Sequence, residues 1–286
     1  MKHVMIFLTV LLLAACEKPI TANGGKDDGN VVLTFRAGNG GVTRGTVSVG
    51  DYFTKLNVMV FDAQGNKALD KVKTQTLTDD GFGQMSVSLA AGTYTVVAVG
   101  HSSTISATIK STSMVQFTAS DGEKLTDTFS CCQQITVDDS KSQYELPMTR
   151  VTAMLKLDLT DEDVPESFAK MKFDYTGGSA NFNPTTLQGT TKSTQSETRT
   201  AAKDNRYYAY TFPYMADSCS LKVVLSAMSA DGTVIRQRTL EKVPVTRNKI
   251  TTYTGHFFED GDGDITQSGF GFTINGDWDG EDTYTF

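Results

Sequence analysis

Val151-Thr152-Ala153-Met154-Leu155-Lys156-Leu157-Asp158-Leu159 is the stretch on which the fold class turns. Val151, Ala153, Leu155, Leu157 and Leu159 recur at every second position, with Thr152, Met154, Lys156 and Asp158 between them. Successive side chains of a strand point to opposite faces, so the pattern gives one face to a core and leaves the other mostly wet. Gln143-Tyr144-Glu145-Leu146-Pro147-Met148 leads into it. One group of strands finishes there and a fresh one starts, which sets a boundary near Pro147 between a β-sandwich over residues 31–147 and a second over 148–286.

Upstream, Val31–Ala37 is β-branched and aromatic, and a glycine loop separates it from a second strand-like piece, Gly45–Val49. Leu56–Asp62 runs into the turn Ala63-Gln64-Gly65-Asn66 and returns near Val72–Leu77. Gln84–Leu89 alternates, whereas Tyr94–Val99 is apolar on both faces, the mark of a central strand. Between Ser102 and Ser130 the signal weakens to short strands near Ile105–Ile109 and Val115–Phe117 and a helical turn before Phe129. Downstream, Leu221–Met228 turns at Ala230-Asp231-Gly232 and returns along Thr233–Arg236, an echo of Leu56–Gly65 that favours two related units. Tyr208, Tyr210 and Phe212 alternate and read as one face of a strand packing the second unit. Gln188–Lys203, rich in Thr and Ser, reads as an exposed loop, and Asp161–Met171, with Pro165 as a first helical residue, as a short helix. No βαβ alternation occurs, so the class is all-β.

The chain opens with Lys2, an apolar run and Leu13-Ala14-Ala15-Cys16. A charged start, a short apolar stretch and a small-residue end make an export signal over residues 1–15, too short for a permanent membrane helix. Small-small-Cys closing the run looks like a lipobox, in which Cys16 is alkylated with diacylglycerol, becomes the first residue and is acylated; several chains together hold permanently. Residues 16–30 are polar and Gly-rich and read as a flexible tether.

The 286 residues carry a formal net charge of −7, with no basic stripe, which argues against nucleic acid as a partner. Cys131, Cys132 and Cys219 match no zinc spacing and no multi-bridge scaffold; they read as unpaired thiols, the competing reading being a disulfide from Cys219 to one of the adjacent pair. His101 and His256 are solitary, and no nucleophile elbow, phosphate loop or His-Glu-x-x-His is present, so no catalytic residue, cofactor or small-molecule substrate is nominated. Asp260-Gly261-Asp262-Gly263-Asp264 has carboxylates at alternate positions, but Ile265 and Gly271 stand where a helix-loop-helix calcium site needs glycine and glutamate; it reads as a solvated turn and not a metal site.

The order of these pieces resembles the fimbrillin superfamily of type V pili, and within it the lipoprotein anchor and minor or tip subunits. The resemblance rests on the lipobox, Phe53–Gly65, Gly92–Gly100, Leu146–Leu159, and Val245–Phe258 with Trp278 beyond it. It implies two tandem transthyretin-like β-sandwiches, other fimbrial subunits as partners, outer-membrane lipid held through Cys16, and a surface-exposed fimbrial location with a role in cell adhesion. In stalk subunits of that family an arginine-specific protease removes the first strand, and a neighbour's strand fills the groove. The corresponding strand is Val31–Ala37, with Arg44 and Arg36 as candidate cut sites, and an anchor is expected to keep it. Only Asp279–Phe286 follow Trp278, so a donor strand needs Phe270–Ile274, and a terminal place in the pilus is favoured. A second reading is a lipid-anchored sandwich binding glycans or host ligands through exposed aromatics such as Tyr207, Tyr208, Tyr210, Phe212 and Tyr214.

Overall fold

The structure, a computed structural model, describes residues 29–37, 48–105, 107–117, 125–139, 142–259 and 270–275, the last six as backbone. The signal, residues 16–28 of the tether with Cys16, Arg44, the acidic turn 260–264 and Trp278 lie outside the described residues; Asn30, at the end of the tether, is fixed by donating to the Leu89 carbonyl at 2.8 Å and accepting from its N–H at 2.9 Å.

The first half contains β1 (Val31–Ala37), β2 (Lys55–Asp62), β3 (Lys73–Thr76), β4 (Gln84–Val87), β5 (Gly92–His101), β6 (Ala107–Ser111), β7 (Met114–Phe117), β8 (Thr128–Val137) and β9 (Gln143–Arg150). The second contains β10 (Ala153–Leu159), β11 (Lys170–Thr176), β12 (Asn181–Asn183), β13 (Gln188–Gly189), β14 (Gln195–Thr200), β15 (Arg206–Thr211), β16 (Ser218–Met228), β17 (Val234–Thr246), β18 (Ile250–Gly255) and β19 (Phe270–Asn275). The protein is all-β; its one helical feature among the described residues is a 3-10 turn, Val49–Asp51, capped by the Ser48 hydroxyl.

Both halves repeat one topology. In the first, β4-β1-β9 faces β3-β2-β5-β8; β8 and β9 pair at only two positions, Phe129 with Arg150 and Ser130 with Thr149, and there the sheet folds over. In the second, β15-β10-β18 faces β14-β11-β16-β17. Each half opens with a strand held between an antiparallel edge strand (β4, β15) and a late parallel strand (β9, β18). Seven strands thus correspond one to one, β1 with β10 through β9 with β18. The echo between Leu56–Gly65 and Leu221–Gly232 is not this duplication, because β2 corresponds to β11 and it is β5 that matches β16.

Three insertions break the repeat. β6 and β7 interrupt the first half and β12 and β13 the second, and β7 pairs with β12, so the insertions build one sheet, β13-β12-β7-β6, across the two halves. β19 is the third, added beside β18. The apolar side chains follow suit. Val31, Leu33, Phe35, Leu56, Val58, Val60, Val96, Ala98, Leu146 and Met148 share one core, and Ala153, Leu155, Leu157, Leu159, Phe173, Val223 and Leu225 another. Met59, Phe61, Val97 and Val99, from the opposite face of β2 and β5, meet Val115, Phe117, Phe182 and Phe212 in a third. That seam explains why β2 and β5 are apolar on both faces.

Sequence expectations fail at five places. The second face of residues 151–159 is not wet, since Thr152 and Met154 are buried and Lys156 and Asp158 half-buried. Asp161–Met171 forms no helix: Phe168 N–H bonds the Pro165 carbonyl in a turn, and β11 starts at Lys170. Gln188–Lys203 is not a solvated loop but holds β13 and β14, with Gln195 and Glu197 buried. Val49 sits in the 3-10 turn instead of a strand. On β15 the register is off by one, since Tyr207 and Ala209 enter the second core, Tyr208 and Tyr210 are half-buried on the other face, and Phe212 joins the seam.

Candidate assembly surface

β1 is a structural member of the first sandwich. Val31, Leu33 and Phe35 are buried, and its backbone pairs with β4 from Val31 to Thr34 and with β9 from Val32 to Ala37. Burying three such side chains contributes roughly 5–9 kcal/mol at about 1.5–3 kcal/mol each. Arg36 pairs with Pro147, and its guanidinium lies 3.1 Å from the Glu145 carboxylate with both side chains mostly exposed, so the ion pair itself is weak. The barrier to a protease at Arg36 is the ladder, because cleavage needs an extended substrate and the end of β1 must first leave β9. A cleft of about 420 Å³ runs along that end where β4 stops, lined by Arg36, Val49, Phe82 and Gly83 among others.

Side chains close one flank of each sandwich. Lys73 and Gln75 on β3 donate to the outward carbonyls of Ser86 and Gln84 on β4, each at 2.8 Å. In the second half, Arg199 Nε on β14 donates to the Tyr208 carbonyl at 3.0 Å and the Tyr175 hydroxyl on β11 to that of Tyr210 at 2.7 Å. Edge carbonyls met in this way offer no template to another chain.

Tyr175 and Arg199 also meet Glu197, which has no exposed surface: the phenol lies 2.7 Å from Oε1, its single proton shared between that oxygen and the Tyr210 carbonyl, and Arg199 Nη2 bonds Oε2 at 2.5 Å. The Leu125 backbone N–H, from the first half, donates to the same carboxylate. Burial raises the Glu197 carboxyl above its ordinary range against the pull of Arg199, and pushes Tyr175 well up. Sequence reasoning missed this cluster; Tyr175, Glu197 and Arg199 on alternating positions of two separate strands were the only signal. A second polar tie sits at the junction, where Arg150 Nε bonds Asp127 at 2.8 and 3.0 Å and Nη1 bonds Asn248 at 2.9 Å.

Cys131, Cys132 and Cys219 are free thiols, which removes the disulfide reading; burial pushes Cys131 up to about 12, far from a nucleophile. His101 is fully buried, with Nε2 2.9 Å from Asn57 Oδ1 and its ring edge-on to Phe117, and burial pulls it down to about 4. Asp161, His256 and Glu259 bring ligand-type atoms together, yet Asp161 already accepts the backbone N–H groups of Phe257, Phe258 and Glu259 at 2.7, 2.5 and 3.2 Å. That carboxylate is a loop cap, and the helix expected to start there is replaced by this role. Among the described residues no helix is long and apolar enough to cross a membrane.

The model of the fimbrillin-A associated anchor proteins Mfa1 and Mfa2 matches residues 16–283. The chain belongs to that family. No curated protein matches. Among solved structures, a candidate adhesin from Bacteroides ovatus is similar with a TM-score of 0.51 at 12% identity, over 89% of this chain and 94% of the other. A candidate polysaccharide-binding protein from Bacteroides thetaiotaomicron gives 0.50 at 12% identity, over 89% and 98%. The fimbrial anchor protein Mfa2 from Porphyromonas gingivalis gives 0.46 at 12% identity, over 86% and 96%. Membership makes the chain a fimbria-associated surface subunit with other fimbrial subunits as partners.

Proposed function

We propose that the protein is the anchor, or a terminal minor subunit, of a fimbrium: exported, acylated at Cys16, held at the outer membrane, and joined to neighbouring subunits by strand exchange. The observation that carries this reading is β1. Val31, Leu33 and Phe35 fill the first core while Arg36 is engaged with β9, so the strand that stalk subunits lose is here an integrated part of the fold. The tether then links Cys16 to β1, and removing β1 would cut the body from its lipid. The family match, which begins at residue 16, supports the same reading. Glycan capture has less support, because Tyr207 and Phe212 are buried and leave no continuous aromatic platform.

Isolation of fimbriae from cells tests it. The protein is expected to co-purify with the polymer at far below stalk stoichiometry, and deletion of its gene to release fibres or change their length. Fibres unchanged in number, length and attachment in its absence would overturn the reading.

A further inference from the structure

The duplicated topology exposes a difference between the halves. β18 has two neighbours, β10 and β19, whereas its counterpart β9 pairs along Gln143–Met148 with β1 alone among the described residues. We infer that the open edge of β9 is a second strand-acceptor site, filled by an extended segment of a neighbouring fimbrial subunit running antiparallel to β9. The inference rests on the fimbrial reading above and deepens it.

Register makes the correspondence specific. Tyr144 faces Leu33 across the parallel ladder and Tyr253 faces Leu157, and aligning the two tyrosines also superposes buried Met148 on buried Phe257. Gln143 and Glu145 then correspond to Thr252 and Thr254, which pair with Thr273 and Gly271 of β19. Backbone polarity agrees. Val32 N–H donates to the Ser142 carbonyl at 2.7 Å, and Met154 N–H to that of Lys249 at 3.1 Å. In a parallel ladder alternate residues face the partner, so Tyr144, Leu146 and Met148 serve β1, while the N–H and C=O groups of Gln143 and Glu145 point to the open side. Pro147 has its nitrogen on that side too, where a missing N–H costs the ladder nothing, and it aligns with His256, just beyond the end of β18.

Three other edges are protected. Side chains meet the outward carbonyls of β4 and β15, and β17 carries Lys242 at φ 56° and Pro244. The occupant follows from the internal precedent: β19 shows that a short antiparallel strand fits this position of the fold. A partner strand there leaves β1 in place, so a subunit that keeps its first strand still accepts a neighbour.

The experiment places a photo-reactive phenylalanine at Gln143 in the full-length protein on fimbriated cells, with Lys222 on the second sandwich as control. An adduct between position 143 and another fimbrial subunit is expected, absent at position 222. Glu145→Pro removes an N–H that does not serve β1, so its thermal midpoint should stay within error of the parent while adduct yield falls at least tenfold. Co-purification with fimbriae but no adduct at 143, or an adduct only with a second copy of the same chain, overturns this inference and leaves the fimbrial reading standing. Absence of the protein from fimbriae overturns both.

Discussion

Replacing Glu197 by alanine removes the acceptor shared by Tyr175, Arg199 and the Leu125 N–H. Tyr175 keeps a bond to the Tyr210 carbonyl, but Arg199, whose side chain is only 14% exposed, keeps its charge with no carboxylate beside it, and the Leu125 N–H is stranded. Breaking a buried ion pair from one side costs about 3–5 kcal/mol. Set against a total stability on the order of 5–15 kcal/mol, that lowers the melting temperature by roughly 10 °C for a body of this size. Thermal and urea denaturation of the soluble body measure it. The double variant Glu197→Leu/Arg199→Met removes both charges at once and should recover most of the loss, giving a coupling of at least about 2 kcal/mol in the cycle. A loss under about 1 kcal/mol for Glu197→Ala, or additive single and double variants, would mean that water reaches the pair and that the cluster does not hold the seam.

Gly100 has no room for a methyl group, because an added Cβ would lie 2.4 to 2.6 Å from the Phe53 ring; Gly100→Ala should cost about 1–3 kcal/mol in urea titrations, with partial rescue by Phe53→Leu. Phe35→Ala empties a fully packed site in β1 and should cost about 3–5 kcal/mol, read as a lower denaturation midpoint together with faster cleavage after Arg36 by an arginine-specific protease. His101 is held neutral, at about 4 against 6.5 unfolded, so its contribution is complete above pH 6.5 and is lost as pH falls toward 4, by about 3 kcal/mol in all. Urea midpoints at pH 7 and pH 4.5 should therefore converge in His101→Gln relative to the parent; an equal drop in both would clear His101.

How far sequence reached depended on what buries each residue. β10 was legible because Ala153, Leu155, Leu157 and Leu159 are buried by hydrophobicity, which a period of two reports directly. β5 was legible as a central strand and β2 as a strand ending in a turn, although the seam that covers their second face was not, since it comes from β7 pairing with β12 over a separation no local pattern records. β14 was misread as a loop because Gln195 and Glu197 are buried by partners instead of by apolar character. Asp161 and Pro165 look like a helix start, but the carboxylate that would cap a helix caps the chain at Phe257–Glu259 instead. Of the candidate site residues, Arg36 fell on the strand expected for it, and Cys16 and Arg44 lie outside the described residues.

The mature amino terminus of the protein taken from the cell surface tests the central proposal most directly. Mass spectrometry should find a terminal peptide beginning at Cys16, blocked and carrying acyl chains, with Val31–Ala37 still attached to the body. A free amino terminus immediately after Arg36 or Arg44 would contradict the account, because the first strand would then have been surrendered and the lipid with it.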